Sequence, residues 1–451
     1  MEDNVILSNG THQFRRTVLM VSIDGLRSDY LDRGITPHLL EISQKGLRAK
    51  SMKPIFPVSA TPCLARHFML RTGLYAESHG IVANNFWDPV TDSQFHYSDS
   101  HIARQPHWWR GEPIWETAWK AGLTTANLMW LGPWTTSSGV QSTYFVPWKN
   151  KVPLQEKHDQ IMKWIDLPFE TRPQLILAYE PHVDQVGHTY GPDHPIVNAA
   201  LRDVDEFAKS VHSSLQARNL SSIVDIIFVS DHGMTDTSDT RLVYMDDIMG
   251  RDHTDQIEHE DGWPSVGLRM SSGANMTDVI HRLETSAPAT ANPPQLYVYT
   301  EENMPERYHF SPKNNERIAP LYIVPRIGWA LTTQHEHKVE MKGSYTPRGN
   351  HGYDNEEQSM HAMFVADGPF ATTLKKRQLE REEAELFVRR NGPNPDRRKE
   401  PQVIPTFNNV ELYSLVVKLL GMEKYAAPTN GTAGFWDRYL DEGASVEQDL
   451  E

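Results

Sequence analysis

Four stretches of this chain are apolar almost without interruption: 17–23 (TVLMVSI), 174–179, 223–229 and the shorter 362–365. Runs without polar alternation suit strands covered on both faces. Between them, Val197, Leu201, Val204, Phe207, Val211 and Leu215 recur every three or four residues. That spacing predicts a helix starting near His194 that lays one apolar stripe on a sheet. Thr36-Pro37 followed by Gly46 marks another helix, with threonine as N-cap, proline in the first turn and glycine as terminator. Strands alternating with helices predict an α/β fold around a mostly parallel central sheet. From about 240 to 347 the pattern loosens into prolines and mixed polar runs, read as an inserted subdomain. Residues 375–402 are dominated by charge and read as a solvated insertion. The main domain is expected over 15–437, with tails at 1–14 and 438–451.

Composition narrows the function classes. The net charge of −15 argues against a polyanion-binding surface, so no nucleic-acid polymer is expected as partner. Cys63 is the only cysteine, so no internal disulfide can form. No apolar run approaches the ~18–20 residues that cross a bilayer, and the N-terminus lacks the basic and apolar regions of a signal peptide. Asn-x-Ser/Thr sequons begin at Asn9, Asn219, Asn275 and Asn430. They fit a glycoprotein of the extracellular space or a secretory or vacuolar lumen, with any targeting or anchor segment upstream of Met1.

Acids and histidines cluster near the ends of the apolar runs: Asp24 in VSIDGLR, Asp184 and His188 in EPHVDQVGHTYGP, Asp231-His232 in FVSDHGM, and His351 in GNHGYDN. Open α/β sheets bind ligands beyond the carboxyl ends of their strands, so these positions are expected to converge. Carboxylate and imidazole suit zinc or a similar divalent ion, and two such ions ~4 Å apart clamp a phosphoryl group. Each motif alone has a plainer reading. Asp184-x-x-x-His188 is also a surface ion pair or cap, on a helix face or in a loop, and Asp24-Gly25 is a common turn.

SIDGLRSDYL, TPHLLEISQKG, TGLYAESHGIVANNFWDP, GEPIWETA, EPHVDQVGHTYGP, VSDHGM, RIAPLYIV, GNHGYDN and APTNGT together resemble the nucleotide pyrophosphatase/phosphodiesterase family of the alkaline phosphatase superfamily. NNFWDP and TYFVPW resemble its fungal members. The resemblance implies an alkaline phosphatase-like fold and two Zn2+ ions. Asp184, His188 and His351 match the ligands of one ion; Asp24, Asp231 and His232 match those of the other. It implies a threonine nucleophile that also ligates the second ion and passes through a covalent phospho-threonine. It further implies an asparagine, here Asn84, donating to a phosphoryl oxygen. The nucleophile segment departs from the family: FPVSATPCLARHFMLRTG is three residues longer than the usual spacing. Counting forward reaches Ala60, and counting backward reaches Cys63. Thr61, the only threonine between the flanks, is the preferred nucleophile, with Ser59 and Cys63 as alternatives; a gene-model error and true divergence both remain open. Trp109 and Tyr190 are the aromatics assigned to stack a nucleotide base. The expected reaction is hydrolysis of nucleotide phosphodiester or pyrophosphate bonds, releasing nucleoside monophosphates. Its rivals are a choline-phospholipid phosphodiesterase and an impaired, metal-holding pseudoenzyme.

Overall fold

The computed structural model describes residues 5–56, 72–377 and 402–440. Ser59, Thr61 and Cys63, and most of the charged 375–402 segment, lie outside the described residues. Eight strands form the main sheet: β1 (Thr17–Ile23), β2 (Leu47–Ala49), β3 (Thr125–Leu128), β4 (Tyr144–Val146), β5 (Leu175–Glu180), β6 (Val224–Val229), β7 (Phe364–Asp367) and β8 (Gln402–Ile404). Their order across the sheet is β8-β2-β7-β6-β1-β5-β3-β4. Neighbours pair in parallel, except that β7 runs antiparallel to both β6 and β2.

Side-chain alternation along β1 divides the core into two layers. Leu19, Val21 and Ile23 face one cluster, which is covered by α1 (Pro37–Lys45), α2 (Leu154–Ile165) and α4 (Pro195–Ala217); the short α3 (His182–Tyr190) contributes Val183 and Val186. Val18 and Met20 face the other, beneath α5 (Glu411–Leu420) with Leu412, Leu415 and Val416. The stripe from Val197 to Leu215 is the buried face of α4, and the His194 side chain caps that helix by accepting the Ile196 N–H. α1 also begins at Pro37, yet Thr36 makes no side-chain cap. Its hydroxyl donates to the Tyr30 carbonyl, while Asp205 on α4 accepts the His38 and Leu39 N–H groups at 3.1 and 2.7 Å. The cap therefore comes from a packed neighbour, which also ties α1 to α4.

Within the loosely patterned 240–347 region, strands Ile257–Asp261, Val266–Met270, Leu321–Pro325 and Leu296–Thr300 form a separate antiparallel sheet. It packs its own cluster of Val266, Leu268, Val279, Leu283, Leu321 and Ile323. A hairpin of Asn85–Asp88 and Ser93–His96 fastens this sheet to the main body. Trp87 N donates to Asp261, and the buried Arg317 guanidinium meets Asp88 at 2.9 Å. Among the described residues, no helix is long and apolar enough to cross a membrane.

Candidate active site

Asp24, Asp184 and Asp231 each follow the carboxyl end of a parallel strand, β1, β5 and β6 respectively. His351 reaches the same edge differently. Because β7 is antiparallel, the chain enters it from that edge, as the pairing of Val229 with Phe364 shows. Residues upstream of β7 are thus delivered beside the ends of the parallel strands. His351 directly follows a two-residue strand, Gly349–Asn350, that pairs with Thr235–Asp236.

Two clusters result, Asp184–His188–His351 and Asp24–Asp231–His232, each with candidate ligand atoms within 4.8 Å of one another. All six side chains are buried. Asp184 and His188 lie one turn apart on α3, so the helical alternative is the one adopted. Asp184 Oδ1 is 3.2 Å from His188 Nε2, 3.3 Å from His351 Nε2 and 3.8 Å from His232 Nε2. In the second cluster His232 Nε2 is 3.1 Å from Asp24 Oδ1 and 3.2 Å from Asp231 Oδ2. The clusters abut, with the His232 and His351 rings stacked at 3.6 Å.

The donor geometry fits divalent ions. His188 Nδ1 lies 2.9 Å from the Gly349 carbonyl, and His232 Nδ1 lies 2.6 Å from that of Gly233. A carbonyl only accepts, so each Nδ1 carries the proton and each Nε2 turns its lone pair inward. His188 and His351 then bring their Nε2 atoms 3.0 Å apart, and these lie 3.2 and 3.3 Å from Asp184 Oδ1. Converging buried lone pairs need a proton or a cation between them. Burial opposes charge on His188, yet the Asp184 carboxylate and the Gly349 carbonyl outweigh it and hold its pKa above the usual imidazole value.

Close backbone packing sets these distances. Gly25 has φ +70°, and a Cβ there would lie 2.9 Å from Asp184 Cα. Its N–H donates to Asp231 Oδ1. At Gly349 a Cβ would lie 2.2 Å from the Gly187 carbonyl oxygen. Behind α3, the buried Lys157 ammonium holds Glu180 at 2.6 Å, and Glu180 in turn accepts the His182 N–H in the first turn.

A cavity of about 560 Å³ opens against the first cluster. Asp184, His188, Gln185 and Thr189 form one wall; Tyr97, Arg104, Trp130, Phe145, Trp148 and Tyr179 supply much of the rest. Asn84 is buried ahead of the fastening hairpin, and its carbonyl accepts the N–H of Tyr97 in the cavity wall. Tyr190 ends α3 just past the cavity, 42 % exposed and stacked on His194. Trp109 is placed otherwise than its motif suggested. It is buried in the core, its indole N–H donates to the Ala103 carbonyl, and it does not line the cavity. Trp130, Phe145 and Trp148 carried no periodic signal. What marks them is large aromatics in proline- and glycine-broken stretches, WLGPW and FVPW.

Residues 18–354 match the family model described as type I phosphodiesterase / nucleotide pyrophosphatase. An uncharacterized pyrophosphatase/phosphodiesterase of Schizosaccharomyces pombe is 38 % identical over 430 residues, covering 94 % of this chain and 80 % of that protein. The solved structure of human ectonucleotide pyrophosphatase/phosphodiesterase 5 superposes with a TM-score of 0.77 at 29 % identity, over 95 % of this chain and all of that one. An inactive threonine-to-alanine variant of the murine counterpart, in complex with AMP, gives 0.76 at 29 % identity, over 94 % of this chain and all of that one.

Proposed function

The chain belongs to the type I phosphodiesterase / nucleotide pyrophosphatase family of hydrolases, and from that premise we propose that it is a zinc-dependent enzyme cleaving phosphodiester or pyrophosphate bonds of nucleotides and releasing nucleoside monophosphates. One observation carries the reading: two abutting carboxylate–imidazole clusters beside an aromatic-walled cavity of nucleotide size. Asp184, His188 and His351 would hold one ion; Asp24, Asp231 and His232 would hold the other. Bound there, the ions supply Lewis acidity that offsets charge on the phosphoryl oxygens and lowers the pKa of a coordinated hydroxyl.

The chain's own groups divide the remaining work. Thr61 is the proposed nucleophile: its oxygen bonds to phosphorus, the leaving group departs, and water later cleaves the phospho-threonine. The inactive threonine variant of the murine relative supports a threonine in that role. Asn84 is proposed to donate to a phosphoryl oxygen. Base stacking falls to Trp130, Phe145 and Trp148 of the cavity, with Tyr190 at its edge and not Trp109. Arg104 in the wall disfavours the quaternary ammonium of a choline head group there. The ectonucleotide relatives support an extracellular or secretory-lumen location.

The test is turnover of a nitrophenyl nucleotide diester, nitrophenyl phosphate and nitrophenylphosphocholine by zinc-loaded protein. Diester turnover lost to chelator and restored by zinc is the expected result. Preference for the phosphocholine ester would move the assignment to the lipid-type enzyme, and bound zinc without any turnover would make the chain a pseudoenzyme.

A further inference from the structure

Tyr179 is the penultimate residue of β5, in register with Ser22 of β1 and therefore beside the strand that leads into Asp24. Its ring is buried and forms part of the cavity wall, while its phenol O–H donates to Asp24 Oδ2 at 2.5 Å. That separation belongs to charge-assisted O–H···O⁻ bonds, which are about twice as strong as neutral ones. The other oxygen, Asp24 Oδ1, faces His232 Nε2 at 3.1 Å. The two carboxylate oxygens thus have separate tasks: Oδ2 is held by the phenol, and Oδ1 is directed into the cluster.

We propose that Tyr179 is a positioning residue that fixes the Asp24 carboxylate so that Oδ1 alone is offered to the ion at the Asp24–Asp231–His232 cluster. The proposal rests on the metal reading of that cluster. Removing this bond takes away the contact that distinguishes Oδ2 from Oδ1, so the geometry in which the three ligands agree is less firmly held. Outer partners of this kind typically change metal affinity or activity by about 10- to 100-fold when removed. Because the same side chain forms cavity wall through its ring and orients a ligand through its hydroxyl, the two contributions separate on substitution.

The experiment uses Tyr179→Phe, which keeps the ring and deletes only the hydroxyl, with Asp24→Ala as the reference. Zinc affinity of the metal-free proteins is measured by competition with a chromogenic chelator, and the metal-free melting temperature reports the fold. Expected for Tyr179→Phe is about 10-fold weaker binding of one zinc equivalent, the other unaltered, and a kcat loss of similar size with KM for a nucleotidyl ester unchanged. Adding Tyr179→Phe to Asp24→Ala should change nothing further. Full zinc affinity and full kcat in a folded Tyr179→Phe protein would overturn the positioning role. If Asp24→Ala itself retains both zinc equivalents, it is the metal reading of the cluster that fails. A Tyr179→Phe protein that raises KM and leaves zinc affinity untouched would reduce Tyr179 to cavity wall.

Discussion

Replacing Gly349 by alanine adds one methyl group at the narrowest point between α3 and the strand that delivers His351. The new Cβ would stand 2.2 Å from the Gly187 carbonyl oxygen and 3.2 Å from Met234 Sδ. Ordinary contact begins near 3.4 Å, so the two backbones must part by about 1 Å. Neither partner at the closest contact is a side chain, and no rotamer change relieves it. Gly349 also supplies the carbonyl that orients His188, and Arg348 N donates to the His188 carbonyl at 2.8 Å. The displacement therefore moves His351 away from Asp184 and loosens the His188 ring together. A shift of that size at reacting groups costs on the order of 100-fold in rate. Gly349→Ala should lose one of two zinc equivalents by elemental analysis and reduce kcat about 100-fold, with the Asp24–Asp231–His232 ion retained. Gly273→Ala is the control, since a Cβ there meets nothing within 4 Å. Two zinc equivalents and undiminished kcat in Gly349→Ala would refute the claim that this backbone contact sets the ligand spacing.

Four further outcomes are expected. Asp205→Ala should lower stability by about 1–2 kcal/mol in chemical denaturation, because it uncaps the His38 and Leu39 N–H groups of α1; Thr36→Ala should cost less. Burial pushes the Asp225 pKa up to about 7, so its protonated form stabilises the fold and that contribution is present at low pH and lost as pH rises towards 7. Asp225→Asn should consequently become more stable than wild type by a growing margin between about pH 4 and 7, and a pH-independent difference would contradict this. Trp148→Ala should raise KM for a nucleotidyl diester more than for a minimal aryl phosphodiester, whereas Trp109→Ala should lower the melting temperature without separating the two substrates. Thr61→Ala should abolish turnover with both ions retained and Cys63→Ala should be nearly silent; a phosphoryl adduct mapped by mass spectrometry to Cys63 or Ser59 would reassign the nucleophile.

Asp24, Asp184 and Asp231 were legible in the sequence because each follows shortly after an uninterrupted apolar run, and such runs have few alternatives to a buried strand. His351 ends no run. Its neighbourhood to the other ligands depends on the reversed direction of β7, and hydropathy carries no sign of strand direction. The helix starts were readable to the residue at Pro37 and near His194, but the chemistry of the first cap was not. Asp205 lies 166 residues from Leu39, and only the packing of α4 on α1 brings them together. Trp109 shows the converse limit: lying inside a motif says that a residue matters, whereas whether its ring faces a cavity or the core is decided by contacts such as its bond to Ala103. The cavity aromatics escaped notice because they sit in or beside short segments, Phe145 within the three-residue β4, too brief for hydrophobicity to show a period.

The direction of β7 also sets a clock. Asp24 follows the first strand of the main sheet and His351 precedes the seventh, so the residue that closes the Asp184–His188–His351 cluster leaves the ribosome long after β1, β5 and β6. Contacts between segments distant in sequence are the slow ones to form. A nascent chain that stops short of His351 holds an acid and a histidine on α3 but lacks the third residue of that cluster. Completion of the Asp184–His188–His351 cluster therefore waits for the last of its three residues to be made.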